Sequence, residues 1–177
     1  MPDLKEFENR LDSLVPLVLE QLKFTRDYLT AMITDVPDEE WFRMPEGLPT
    51  HLAWQIGHLA MAEYGLCLFR VRGRVPEDAQ LMPSPFRKAF ARGSTVVADP
   101  SKYPSPAEIR DTLSRVRAQV ELEAPSYTHE MLVGEIEMPY SIFPNKMGGM
   151  LFSPQHEMIH AGQIGLWRRA LGRPPLR

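Results

Sequence analysis

Proline placement constrains this chain more than any other feature. Proline lacks a backbone N–H and clashes with the preceding helical turn, so long helices must lie between prolines or begin at them. The chain has 17 prolines in 177 residues, about twice the usual share, and they separate four stretches of helical periodicity. Leu4, Phe7, Leu11, Leu14, Val18, Leu22, Leu29 and Met32 predict a helix near 3–34, kinked or broken at Pro16. Thr50 follows Pro49 as an expected N-cap, and Leu52, Ile56, Leu59, Leu66 and Phe69 mark a second helix to about Val71. Ser105-Pro106-Ala107-Glu108 combines an N-cap serine, a first-turn proline and a capping-box glutamate. Ile109, Leu113, Val116 and Val120 continue that third helix, which Pro125 closes. The last helix begins at Lys146 or Ser153, a choice Pro154 leaves open, and stops at Leu171 before Gly172 and Pro174-Pro175.

Four helical patterns without sustained strand alternation predict an all-α four-helix bundle, one domain over residues 1–177. Residues 73–104 hold five prolines and two glycines with no steady period, so they read as a connection with at most short turns. A connection of about thirty residues can run the length of a bundle, which predicts a long crossover between helices two and three. Segment 126–144 reads as a second, turn-rich connection.

Composition narrows the function classes. The 44% hydrophobic and 24% charged fractions are those of a globular protein. Lys and Arg number 20 against 23 Asp and Glu, a formal charge of −3, so neither nucleic acid nor a membrane surface is an expected partner. One cysteine, Cys67, excludes an intramolecular disulfide and a cysteine-rich zinc knuckle. The opening MPDLKEFENRLD has no apolar stretch, and no run reaches membrane-spanning length. The expected compartment is therefore the cytoplasm.

The second helix is apolar on most sides, so its polar residues His51, Gln55, His58 and Glu63 need partners. On the last helix, His156-Glu157-Met158-Ile159-His160 is an H-E-x-x-H sequence, which puts two imidazoles on one face, close enough to chelate one divalent ion. In a zinc protease Glu157 would be the general base and a third ligand would follow downstream. None does: the residues after His160 include no His, Asp, Glu or Cys. The third ligand must come from upstream. His58, mid-helix, is the first choice. His51 projects the same way but lies about 10 Å off along the axis and could face solvent, and His129 in the later connection is the weakest candidate. Glu157 is a candidate base, with a salt bridge as the plain alternative. Gln163 shares the face of His156 and His160 and is expected to hydrogen-bond a ligand. Trp54, Met61 and Phe69 share the side of His58 as core packing and could wall a pocket. Arg168, Arg169, Arg173 and Arg177 read as cations favouring the last carbonyls of their own helix.

The stretches His51-Leu-Ala-Trp-Gln-Ile-Gly-His58 and His156-Glu-Met-Ile-His160-Ala-Gly-Gln163 resemble the DinB-like superfamily of four-helix bundles over nearly the whole chain. The resemblance implies that His58, His156 and His160 bind a divalent metal. It also implies kinship with mycothiol- and bacillithiol-dependent transferases and with metal-dependent hydrolases. A three-histidine metal with open positions would activate a bound thiol or water. The first reading is thus a metal-dependent thiol S-transferase or small-molecule hydrolase, with zinc or nickel as the expected metal, a low-molecular-weight thiol as a candidate cosubstrate and Glu157 assisting. The second is a non-catalytic metal- or ligand-binding bundle acting as a dimeric interaction module, and a homodimer is compatible with either.

Overall fold

The computed structural model describes residues 4–137 and 140–175; the side chains of Leu4 and Phe7, expected on the first helical face, and Arg177 lie outside the described residues. The first pattern divides into a short helix Leu4–Glu8, a 3-10 turn Leu11–Leu14 and the long helix α1, Val15–Ile33. Pro16 lies in the first turn of α1, where its missing N–H has no acceptor four residues back. The break therefore precedes the long helix.

Helix α2 begins at Leu52 and runs to Glu63, then continues through a π-helical stretch Tyr64–Phe69 and a last turn Arg70–Arg72. Its N-cap is His51, not Thr50: the His51 ring accepts the Trp54 N–H at 3.0 Å. The Thr50 hydroxyl instead accepts from the Gln55 amide at 3.0 Å. The π-helical turn frees backbone carbonyls, and that of Cys67 accepts from the Tyr127 hydroxyl at 2.9 Å. It also changes the register after Glu63. Phe69 is consequently exposed and stacked on Tyr64, off the face that carries His58.

Helix α3, Pro106–Glu123, has both halves of the capping box between Ser105 and Glu108. Helix α4, Lys146–Ala170, starts at the earlier of its two expected positions, capped by Asn145, and passes through Pro154. The connections are more ordered than their composition suggests. Residues 73–104 contain helical turns Asp78–Leu81 and Ser84–Ala89 and a 3-10 turn Pro100–Lys102, and they bury Met82, Phe86 and Phe90. Segment 126–144 contains the turn His129–Leu132.

The architecture is all-helical, with α1 packed on α4 and α2 packed on both α3 and α4. Leu22 and Leu29 of α1, Ile56 of α2, Val116 and Val120 of α3, and Ile164 of α4 are fully buried between them. Polar groups tie the same helices together. Arg168 of α4 donates to the Met32 carbonyl and to Asp35 just past α1, so this arginine satisfies the C-terminus of α1 rather than that of its own helix. Arg173 adds contacts to Asp35 and Glu40.

A buried ion cluster takes one residue from each long helix. Arg26 of α1 bonds Glu63 of α2 and Glu157 of α4, both at 2.7 Å. Arg117 of α3 bonds the same two carboxylates at 2.6 and 3.0 Å, and it also donates to the Leu22 carbonyl. Two positive and two negative charges balance. Burial alone would lower the Arg117 pKa, but Glu63 and Glu157 outweigh it and the net shift is upward.

Gly57 explains how the long connection reaches α2. A Cβ there would sit 2.5 Å from the ring of Phe90, so only glycine lets that ring lie on the helix. Substitution Gly57→Ala gains helix propensity of about 1 kcal/mol but forces the buried Phe90 ring outward. Overpacking costs about 1–3 kcal/mol, so a lowered thermal midpoint is expected, and an unchanged or raised midpoint would show that Phe90 yields freely.

Candidate metal centre

Three of the polar residues singled out in the sequence meet at one point. His156 and His160 lie one turn apart on α4, and His58 faces them from α2. One nitrogen of each lies within 4.8 Å of the others. Nε2 of His156 and Nε2 of His160 are 3.1 Å apart. The ring of His58 is centred 5.3 Å from that of His156 and 5.0 Å from that of His160. His58 and His160 are buried and His156 is half-buried.

Hydrogen bonds on the far side of two rings fix which nitrogen each presents. Nδ1 of His58 is 2.9 Å from the Phe90 carbonyl, which can only accept, so the proton sits on Nδ1 and the Nε2 lone pair is free. Nδ1 of His160 meets the amide oxygen of Gln55. The orientation of that amide follows from its NH2 group donating to Thr50. The relay Thr50–Gln55–His160 therefore holds the second Nε2 lone pair toward the same point. Such partners behind ligating histidines are the usual way a metal site sets tautomer and ring direction.

Electrostatics also favour neutral imidazoles. Burial, then the neighbouring His58, lowers the His156 pKa to about 4. Burial, then His156 and His58, lowers that of His160 to about 3. His58 is lowered chiefly by burial, partly offset by the Phe90 carbonyl, and the positive charge of Arg92 lowers it further. All three are neutral at pH 7, the state that ligates. The donor set fits a divalent ion: two nitrogens each about 2.1 Å from a shared metal, at 90–110° to each other, lie about 3.0–3.4 Å apart. The His156–His160 separation falls in that range.

Aromatic rings flank the cluster. Trp54 stacks on His58 with ring centres 4.8 Å apart. Phe152 lies 5.5 Å from His156, and the exposed Tyr140 stacks on Phe152.

The structure does not bring Glu157 to the histidines. One residue further along a helix points about 100° away, and this carboxylate is buried among Arg26, Arg117 and the hydroxyl of Thr25. A general-base role has no geometric support; the salt-bridge alternative describes what it does. Gln163 is exposed, and the hydrogen bond expected of it is made by Gln55. Helical spacing alone pointed to Gln163, whereas Gln55 lies on the other helix, and its one sequence signal was a polar side chain on a helix apolar on most sides. His51 does not face solvent: it is fully buried between Phe42 and Tyr103, occupied by its cap and by the Val97 carbonyl at 3.1 Å. His129 lies in the connection before α4, outside the cluster.

His51 gives the fold a defined acid sensitivity. Burial lowers its pKa from 6.5 to about 4, with the Val97 carbonyl opposing. Because the unfolded chain binds the proton more tightly, this contribution is complete above about pH 6.5 and is lost as pH falls toward 4. The loss is roughly 3 kcal/mol. Substitution His51→Asn, which keeps a good N-cap residue, is expected to make the stability profile shallower over that window in urea unfolding, the remaining slope coming from His58, His156 and His160; a profile parallel to wild type would contradict the assignment.

A sequence model described as the DinB superfamily matches residues 21–164, a span containing all three clustered histidines and Gln55. A search of curated proteins returns no match.

Proposed function

The chain belongs to the DinB superfamily, and we propose that it binds a divalent metal through His58, His156 and His160 and acts as a metal-dependent enzyme, a thiol S-transferase or a small-molecule hydrolase. The observation that carries this reading is the pair of backed histidines: Phe90 and Gln55 hold the Nδ1 protons of His58 and His160, leaving both Nε2 atoms as donors beside His156. Imidazole donors suit zinc and nickel. A bound ion would supply Lewis acidity that brings a thiol or water toward ionisation at neutral pH.

Among the described residues, no fourth His, Cys, Asp or Glu joins the cluster. Three protein ligands, against the four of a closed structural site, is the ligand count of catalytic sites, and this favours the enzyme over the non-catalytic module. The chain's own residues then position rather than transfer protons: Gln55 orients His160, Phe90 orients His58, and Trp54 and Phe152 cover the flanks against water. Glu157 holds the bundle together. No helix of the described residues is long and apolar enough to cross a membrane, and a small molecule is the proposed partner. The exposed Phe24, Met158 and Ile159, which line one groove between α1 and α4, support a homodimer as its assembly.

Metal content per chain tests this reading. Wild type reconstituted with zinc or nickel is expected to hold about one ion, and His58→Ala and His160→Ala to lose it while staying folded. Glu157→Gln is expected to keep the metal but lose about 3 kcal/mol of stability, because it leaves buried arginine charge unpaired. Wild type that takes up no metal, or His58→Ala and His160→Ala that both keep it, would overturn the assignment.

A further inference from the structure

The connection between α2 and α3 carries a run of positive charge. From Ala79 to Ala98 there is no acidic residue, while Arg87, Lys88 and Arg92 are cationic, in a chain whose formal charge is −3. This segment touches the histidine cluster. Phe90 lies against Gly57, and its carbonyl accepts from His58. Ser94 accepts from the Trp54 indole at 2.9 Å and donates to the Ala89 carbonyl.

Between these two anchors the backbone makes a tight turn. The Ser94 N–H donates to the Ala91 carbonyl at 2.9 Å, with Arg92 and Gly93 at the corners. Gly93 has φ +82°, the left-handed conformation that the third position of a type II turn requires. Arg92 thus sits on a turn pinned at Phe90 to one candidate ligand and at Ser94 to the ring stacked on that ligand. It is exposed, and its positive charge reaches His58. Among the described residues no carboxylate pairs with it; Arg10, Arg70, Arg74, Arg87 and Arg169 share that state, but of these Arg92 alone stands on the turn between the two anchors at the histidine cluster.

We propose that Arg92 is a binding residue that anchors the anionic group of the substrate, so that the three-histidine site takes small organic anions, carboxylates foremost, with their apolar part against Trp54, Phe152 and Tyr140. This rests on the reading of the histidine cluster as the centre of the site. A guanidinium offers a planar fork of donors suited to a carboxylate. Its place on a short anchored turn limits the ordering that binding requires.

The test uses a charge-matched pair of probes, 3-phenylpropanoate and 3-phenylpropanamide, titrated into the full-length protein with and without zinc. Binding is followed by the indole N–H signal of Trp54 in nitrogen-15 NMR spectra. Wild type is expected to bind the acid at least about tenfold more tightly than the amide, Arg92→Gln to bind the two alike, and Arg92→Lys to recover part of the preference. Arg92 is exposed, so an unchanged unfolding midpoint is expected for both variants. Equal affinities in wild type, a preference that survives in Arg92→Gln, or binding of neither probe would overturn the proposal. An Arg92-dependent preference in a protein that takes up no zinc would uphold it and count against the metal.

Discussion

Four charges, one from each long helix, meet inside the bundle, and the position of everything else follows from how they pair. Arg26 and Arg117 each bridge Glu63 and Glu157. A buried charge without its partner is strongly unfavourable, so α4 can take only the rotation and height at which Glu157 reaches both arginines. That rotation turns His156 and His160, about 100° and about 60° from the Glu157 direction on the same side of the helix, toward α2 and His58. Hydrophobic packing tolerates small slips of one helix along another; a closed cluster of two guanidinium and two carboxylate groups does not. The ion cluster is thus a register device, and its charge balance lets it sit among Leu22, Val116 and other apolar residues.

The second support is the connection from α2 to α3. Its composition reads as a loop, yet it delivers Phe90 to the surface opened by Gly57 and a backbone carbonyl to Nδ1 of His58. Together with Thr50 and Gln55 behind His160, it makes the histidines directed donors instead of merely adjacent rings. Their low pKa values follow from the same burial. The site is built twice over, by the helices that bring the rings together and by the polar groups that aim them.

Much of this was legible in the sequence where the signal is local. Ser105 to Glu108 specifies a helix start within four residues, and the structure has both of its hydrogen bonds. The i, i+4 histidine pair and the lone His58 on an apolar helix could be matched because each helix face is set by its own periodicity. What escaped depends on partners distant in the chain. Glu157 sits between two ligand candidates and looks catalytic until Arg26 and Arg117 are placed. Gln163 has the right spacing, but the amide that matters is Gln55 on another helix. His51 rather than Thr50 caps α2 because the pocket of Phe42 and Tyr103 receives its ring. The π-helical turn at Tyr64–Phe69 has no local signature, and it moved Phe69 off the predicted face.

The central claim is that the three histidines form an open metal site, and X-ray absorption at the zinc edge of the reconstituted protein tests it most directly. The account predicts three imidazole nitrogens at about 2.0–2.1 Å together with at least one further light-atom ligand not supplied by the chain. A shell containing sulfur from Cys67, or one with fewer than three imidazoles, would contradict it.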